Sequence, residues 1–341
     1  HMLNQDDLIK GLTPSQQRAV LHVDGPLLVL AGPGSGKTRV ITRRIASLIS
    51  MGVPPYHILA VTFTNKAAGE MRERVAHVLG PQGGRGLTVT TFHSLCVRLL
   101  RRYAEQSVLV AKGYIKPDFS VMDADDQAKL IKTAITQIDL NTQNFPPRSV
   151  MSAISTAKND LQDDEQYLQN ASEFHSRQIA RVYKAYQHAL RQANAVDFDD
   201  LLLLTAKMLR ESPNVRHACQ DHYRYLLIDE YQDTNKAQFQ IASLIAGDQL
   251  IKDGNTGPGS VPNICVVGDP DQSIYGWRGA DIANILDFEK LYASCTVIKL
   301  GENFRSLPPI LSVADRLISR NTQRKHKPLT ATRTSGNDVK V

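Results

Sequence analysis

Residues 31 to 38 read Ala31-Gly32-Pro33-Gly34-Ser35-Gly36-Lys37-Thr38, a run of small residues closed by an amine and a hydroxyl. The run meets the phosphate-loop pattern, with Ala31 where the first glycine usually stands. Small side chains let backbone N–H groups wrap a phosphate chain, and a following helix turns the positive end of its dipole toward that anion. Lys37 is then spaced to reach the β- and γ-phosphates of ATP, and the Thr38 hydroxyl to hold Mg2+.

The second chemical signal is the apolar run Tyr225 to Ile228, which ends in Asp229 and Glu230. Two adjacent acids at a buried strand end are costly unless a cation compensates them. A magnesium-bound triphosphate supplies one: Asp229 would bind the metal through water, and Glu230 would orient and deprotonate the attacking water. In isolation such a pair serves equally well as a cap; beside a phosphate loop the catalytic reading is the stronger.

These residues need elements to carry them. Short β-branched runs occur at Pro26–Ala31, Ile58–Thr62, Thr88–Thr91, Tyr225–Ile228, Ile264–Gly268 and Val297–Leu300. Most are followed by helical spacing, as with Ile41, Ile45 and Leu48, or Met71, Val75 and Val78. Strand alternating with helix predicts an α/β fold, a parallel sheet with helices on both faces. Between Tyr103 and Val196 the strand runs vanish and the periodicity turns helical, as in Asp123–Ile138 with Leu130, Ile131, Ala134, Ile135 and Ile138 on one face. That stretch predicts an inserted all-helical subdomain. In it, Tyr183 and Tyr186 stand at helical spacing and read as core rather than as ligand contacts. Polar groups also gather just past several strand ends, at Thr64 and Asn65, His93, Asp229 and Glu230, Asp269 to Gln272, and Asn303 to Arg305. That is the edge at which open parallel sheets bind ligands.

Composition bounds the rest. Apolar residues make up 42% and charged residues 22% of 341, the balance of a soluble globular chain. No apolar run approaches the roughly 18 residues of a membrane span. The four cysteines, Cys96, Cys219, Cys265 and Cys295, show no metal-ligand spacing and read as small buried residues. A formal charge of +6 permits a nucleic-acid partner without requiring one. His1 before Met2 reads as a tag remnant, and with no basic-then-apolar start the expected compartment is cytoplasmic.

Order and wording of the motifs resemble superfamily 1 DNA helicases of the UvrD, Rep and PcrA type. LTPSQQ at 12–17 resembles the family's Q motif; FTNKAAGEM at 63–71 and TFHSL at 91–95 resemble its single-strand-contacting segments. DFDDLL at 197–202, DEYQDTN at 229–235, GDPDQSIYGWRGA at 268–280 and NFRS at 303–306 follow in the family's order.

The resemblance implies a RecA-like ATP-binding domain (1A) over 3–104 and 197–300, a helical insertion (1B) over 105–196, and a hinge leading into a second lobe (2A), here truncated, over 301–341. It implies catalytic roles for Lys37, Asp229, Glu230, Gln272 as γ-phosphate sensor and Arg305 as arginine finger. ATP would be held by Gln16 reading the adenine edge, by Ala31, Gly32, Pro33, Gly34, Ser35, Gly36, Lys37 and Thr38, and by Arg39 and Phe304 sandwiching the base, with Thr38 and Asp229 on the metal. Phe304 stands where the family more often has Tyr. Single-stranded DNA would meet Phe63, Thr64, Asn65, Lys66, Thr91, His93, Tyr275, Trp277 and Arg278. The expected activity is ATP-dependent 3′–5′ helicase or translocase action on single strands and single/double-strand junctions. The chain itself is expected to be the front part of the motor, with weak or absent enzymatic activity of its own and not competent for unwinding alone; its accessory repair or replication partners are not specified. The alternative is the motor half of a helicase–nuclease of the AddA or RecB kind. A signalling NTPase would have no use for FTNKAAGEM, TFHSL or QSIYGWRGA, and a silent docking module no use for the intact catalytic set.

Overall fold

The computed structural model describes residues 3–247, 262–269, 283–303 and 330–331. The expectations placed on Gln272, Tyr275, Trp277, Arg278, Phe304 and Arg305, and on the loop between Gly247 and Pro262, lie outside the described residues.

Among the described residues ten strands run in chain order: β1 Leu27–Ala31, β2 Ile58–Thr62, β3 Thr88–Thr91, β4 Ser120–Val121, β5 Ala195–Val196, β6 Tyr225–Ile228, β7 Ile264–Gly268, β8 Thr296–Leu300, β9 Glu302–Asn303 and β10 Thr330–Ala331. Six of them form one wholly parallel sheet in the order β3-β2-β6-β7-β1-β8. Register pairs Leu28 with Val266 on one side and Val297 on the other, so β1 lies deep in the sheet. Every residue of β1, β2 and β7 is buried. Burial on both faces explains why these strands read as continuous apolar runs rather than alternating ones.

One face of the sheet places Leu27, Val29, Ala60, Leu227, Cys265 and Val267 in a common core with Val40, Ile41 and Ile45 of the helix Lys37–Ser50 and with Met71 and Val75 of Asn65–Leu79. Residues of opposite parity, such as Leu28, Leu30, Leu59 and Val266, are buried on the other face. The α/β, RecA-like expectation is therefore met.

The chain folds as two compact units: residues 1–91, 220–234 and 245–341 form the first, and 92–219 with 235–244 the second. The second unit is helical, with Ala124–Gln137, Pro147–Asn159 and Phe174–Gln192 closing on Ile131, Ile135, Val150, Ile154 and Val182. It also contains a small parallel pair, β4 with β5, in the stretch expected to be free of strands. Two residues are too few to leave a period-2 signature. Tyr183 and Tyr186 are core residues, their hydroxyls donating to the Gln162 carbonyl and to Asp197 Oδ2, each at 2.8 Å. Cys96, Cys219 and Cys265 are buried as expected, whereas Cys295 is only half-buried. Among the described residues no helix is long and apolar enough to cross a membrane.

Candidate functional site

Strand order decides which loops can work together. β1 sits between β7 and β8, so the phosphate loop leaving Ala31 lies beside the loop leaving β7, with the loop leaving β6 one strand further. β3 is four strands from β1, roughly 19 Å at the usual strand spacing. Thr91 and the Phe63–Lys66 turn therefore occupy one half of the strand-end edge, and the phosphate loop the other.

The loop itself is built on two left-handed glycines, Gly34 at φ 67° and Gly36 at φ 80°. Ser35 Oγ donates to the Gly32 carbonyl at 2.7 Å and closes the turn. Gly36 then caps the helix Lys37–Ser50, its carbonyl accepting the Val40 N–H at 3.0 Å. A Cβ on Gly36 would collide with Gln16 Nε2. Gln16 is buried, and both ends of its carboxamide are engaged: Oε1 accepts the Thr13 N–H at 3.0 Å, and Nε2 donates to the Ser35 carbonyl at 2.8 Å. The residue expected to read adenine thus braces the phosphate loop in this structure. Arg39 reaches the carbonyls of Lys10 and Gly11 at 3.4 Å each.

Lys37 Nζ lies 3.2 Å from Asp229 Oδ1 and also pairs with Glu230 Oε1. Burial pulls the Lys37 pKa down, but the two carboxylates outweigh it and the amine is held above its ordinary value. Burial pushes Asp229 up, and Lys37 only partly opposes that. For Glu230 burial also acts upward, yet Lys37 and a hydrogen bond from Gln232 prevail and hold it below the usual range. An acid buried at a raised pKa beside a second acid is a donor set short of positive charge, which suits a divalent cation. Glu230 adopts φ 52°, ψ 42°, a left-handed backbone uncommon outside glycine. A cleft of about 830 Å³ opens over the loop, walled by residues 31–39 together with Arg43, Glu73, Arg74, His77, Glu230 and Asp269. Its size suits a nucleotide. No cluster of three potential metal-ligating side chains occurs among the described residues. The expected pair of Thr38 and Asp229 needs none, since magnesium on phosphates keeps several waters.

At the other half of the edge, Thr64 caps the helix Asn65–Leu79, its hydroxyl accepting the Ala67 N–H at 3.1 Å, while Asn65 and Lys66 are exposed. Phe63 is half-buried and Thr91 buried.

In the second unit, His93 opens the helix Phe92–Tyr103 and stacks on Phe198, ring centroids 3.7 Å apart and planes 9° from parallel. Burial pushes its imidazole down to about 4, which favours the neutral ring, and Nε2 is buried without a hydrogen-bond partner. Phe198 is 55% exposed. No role was expected for it, although it stands inside the DFDDLL segment; an aromatic between two acids at a helix start was the available signal. Nor was a role expected for Gln232, which donates to Glu230 Oε2 and accepts the Asp269 N–H, since no local pattern marks it.

A phosphate loop, a paired acid at the next strand but one and a wholly parallel sheet define a phosphate-loop NTPase. The chain belongs to the UvrD/REP helicase N-terminal domain family, whose model matches residues 12–293. It is 43% identical over 333 residues to the ATP-dependent DNA helicase PcrA of Staphylococcus epidermidis, covering 97% of this chain and 43% of that protein. To the protein of the same name from Bacillus subtilis it is 44% identical over 325 residues, 95% of this chain and 41% of the relative. The chain therefore spans less than half the length of the relatives it matches.

Proposed function

We propose that this chain is the ATP-binding and DNA-engaging part of a helicase or translocase that moves 3′–5′ on single-stranded DNA. The observation that carries the reading is the convergence of Lys37, Asp229 and Glu230 from β1 and β6 beneath the phosphate loop. When ATP enters, Lys37 exchanges its carboxylate partners for phosphate oxygens. Magnesium, when bound, neutralises phosphate charge and would be held by Thr38 and, through water, by Asp229. Glu230, released from Lys37, accepts the proton of the attacking water. Gln272 and Arg305 are assigned the γ-phosphate, and Arg39 and Phe304 the adenine. Gln16 reads that base only by giving up the Ser35 carbonyl, which would connect base recognition to the shape of the phosphate loop.

Phe63, Thr64, Asn65, Lys66, Thr91, His93, Tyr275, Trp277 and Arg278 are assigned to single-stranded DNA, as the motif resemblance implies. We add Phe198 to this set, because an exposed ring already stacked on one face offers its other face to a base. Base stacking tolerates any sequence, as a motor requires. The segments 3–104 and 197–300 are assigned to the nucleotide lobe and 105–196 to the insertion, although residues 92–104, 197–219 and 235–244 belong to the helical compact unit. Duplex unwinding, on this reading, needs a second lobe of the kind for which the relatives' remaining length has room. A cytoplasmic setting follows from the DNA substrate.

The test is binding of a fluorescent ATP analogue with magnesium, and ATP turnover with and without a single-stranded oligonucleotide, with Lys37→Ala as blank. Magnesium-dependent binding lost in the variant, and nucleotide or turnover signals that respond to DNA, are expected. A chain that binds nucleotide but ignores DNA would refute the motor reading.

A further inference from the structure

The Glu230 carboxylate has two oxygens, and they are held from different sides. Oε1 faces Lys37, and Oε2 accepts from Gln232 Nε2 at 2.6 Å. The opposite end of that carboxamide, Gln232 Oε1, accepts the backbone N–H of Asp269 at 3.0 Å. The orientation of the amide is settled by its partners: a carboxylate can only accept, so it takes the NH2, and a backbone N–H can only donate, so it takes the oxygen. Gln232 is 1% exposed, so water does not replace either bond if one is lost.

Two backbone features make room for this bridge. A Cβ on Gly268 would stand 2.8 Å from Gln232 Oε1 and 3.2 Å from Gln232 N, so the end of β7 approaches because that residue has no side chain. Glu230 itself sits at φ 52°, a conformation that persists in a non-glycine residue only where its surroundings hold it. The carboxylate points where it does because neighbours fix it.

We propose that Gln232 is the positioning residue that aims the Glu230 carboxylate and ties it to the segment leaving β7 at Gly268–Asp269. The proposal rests on the reading above that Glu230 serves the attacking water. Lys37, which holds Oε1 here, is the group assigned to the phosphates, so the bond to Oε2 is the one that survives nucleotide entry. A shift of the Asp269 backbone moves the carboxamide, and the carboxamide moves the carboxylate. The Gly268–Asp269 backbone thereby gains a direct mechanical hold on the hydrolytic group. Among the described residues Lys37 and Asp229 are the other charged groups beside Glu230: the Lys37 amine donates to Oε1, and Asp229 Oδ1 accepts the Glu230 backbone N–H.

The experiment is amide hydrogen exchange at Asp269, read by NMR on the full chain without nucleotide, in wild type, Gln232→Met, Gln232→Glu and Glu230→Ala. Met fills the same space without polar atoms, and exchange is expected to accelerate by roughly tenfold or more, the scale of a lost buried hydrogen bond. Glu at 232 keeps an acceptor for the Asp269 N–H but loses the bond to Glu230, so its exchange is expected to lie between wild type and Gln232→Met. Glu230→Ala removes the far anchor of the carboxamide and accelerates exchange several-fold. In ATP turnover, Gln232→Met and Gln232→Glu both lower kcat about tenfold while KM stays within about twofold, a split that general loosening would not produce. Unchanged Asp269 exchange in Gln232→Met or in Glu230→Ala overturns the tie, and unchanged kcat overturns the positioning role. If wild type binds no nucleotide, the functional reading fails, and the exchange rates still decide whether Gln232 joins the two segments.

Discussion

Lys158 Nζ and Asp197 Oδ2 meet at 2.6 Å with both side chains wholly buried, and Asp200 Oδ1 completes the group at 2.8 Å from the same amine. Tyr186 donates its hydroxyl to Asp197, and Asp197 and Asp200 each accept the other's backbone N–H at the start of the helix Phe198–Glu211. Two carboxylates and one ammonium thus sit inside the helical unit. Lys158→Met would leave two acids buried without a cation, and a loss of about 3–5 kcal/mol is expected in urea unfolding.

Asp200 and His93 make opposing contributions to the pH dependence of stability. Burial and the neighbouring Asp197 push Asp200 up to about 6 from 3.8, so the native state holds that proton more tightly and its contribution fades as pH rises from about 4 to about 6. Burial pushes His93 down to about 4 from 6.5, so the unfolded state takes that proton first and stability falls as pH drops from about 6.5 to about 4. Asp200→Asn should therefore steepen the acid loss of stability, and His93→Phe should flatten it. Urea midpoints at several pH values between these limits distinguish the two slopes.

Lys37→Ala leaves Asp229 and Glu230 facing each other without their shared amine. We expect a stability loss of about 1–3 kcal/mol, partly recovered by adding Asp229→Asn, and nucleotide affinity lowered at least roughly a hundredfold. Thermal unfolding and analogue titration separate the two effects; full retention of nucleotide affinity in Lys37→Ala would remove the phosphate-loop reading.

Gly36→Ala combines a left-handed backbone with a collision against Gln16. The backbone alone costs about 1–2 kcal/mol. Adding Gln16→Ala relieves the collision but forfeits the bonds to the Thr13 N–H and the Ser35 carbonyl, so the double variant is expected to lose less stability by thermal melt than the two single variants summed.

Phe198→Ala removes an exposed ring, so stability should change little beyond its stacking on His93. Affinity for a single-stranded oligonucleotide is expected to fall by about 5- to 150-fold, the equivalent of about 1–3 kcal/mol for one stacked base. An oligonucleotide titration in which Phe198→Ala binds like wild type would take that ring out of the DNA set.

Much of this architecture is legible in one dimension. Four of the six sheet strands begin and end where their apolar runs do, and the other two differ by one residue at the start. Fully buried parallel strands leave a continuous apolar signal, and packed helices leave a 3.6-residue one, because each pattern is a local consequence of which face meets the core. The phosphate loop and the Asp229–Glu230 pair are legible for a similar reason: their chemistry needs particular residue types at fixed spacing along the chain.

Other relationships are written between distant positions and carry no local period. Gln16 and Ser35 are 19 residues apart, Gln232 and Asp269 are 37, and Lys158 and Asp197 are 39. Whether a carboxamide reads a base or braces a loop depends on what lies within about 3 Å of it, and that is set by strand order and packing. By itself the sequence determined a parallel sheet carrying a phosphate loop and a paired acid, since backbone periodicity and residue type suffice for both. Only the tertiary structure decided that Lys37 rests on both acids, that Glu230 takes a left-handed backbone and that Gln232 holds its free oxygen, because hydrogen bonds act over a few ångströms and folding alone brings those atoms within reach.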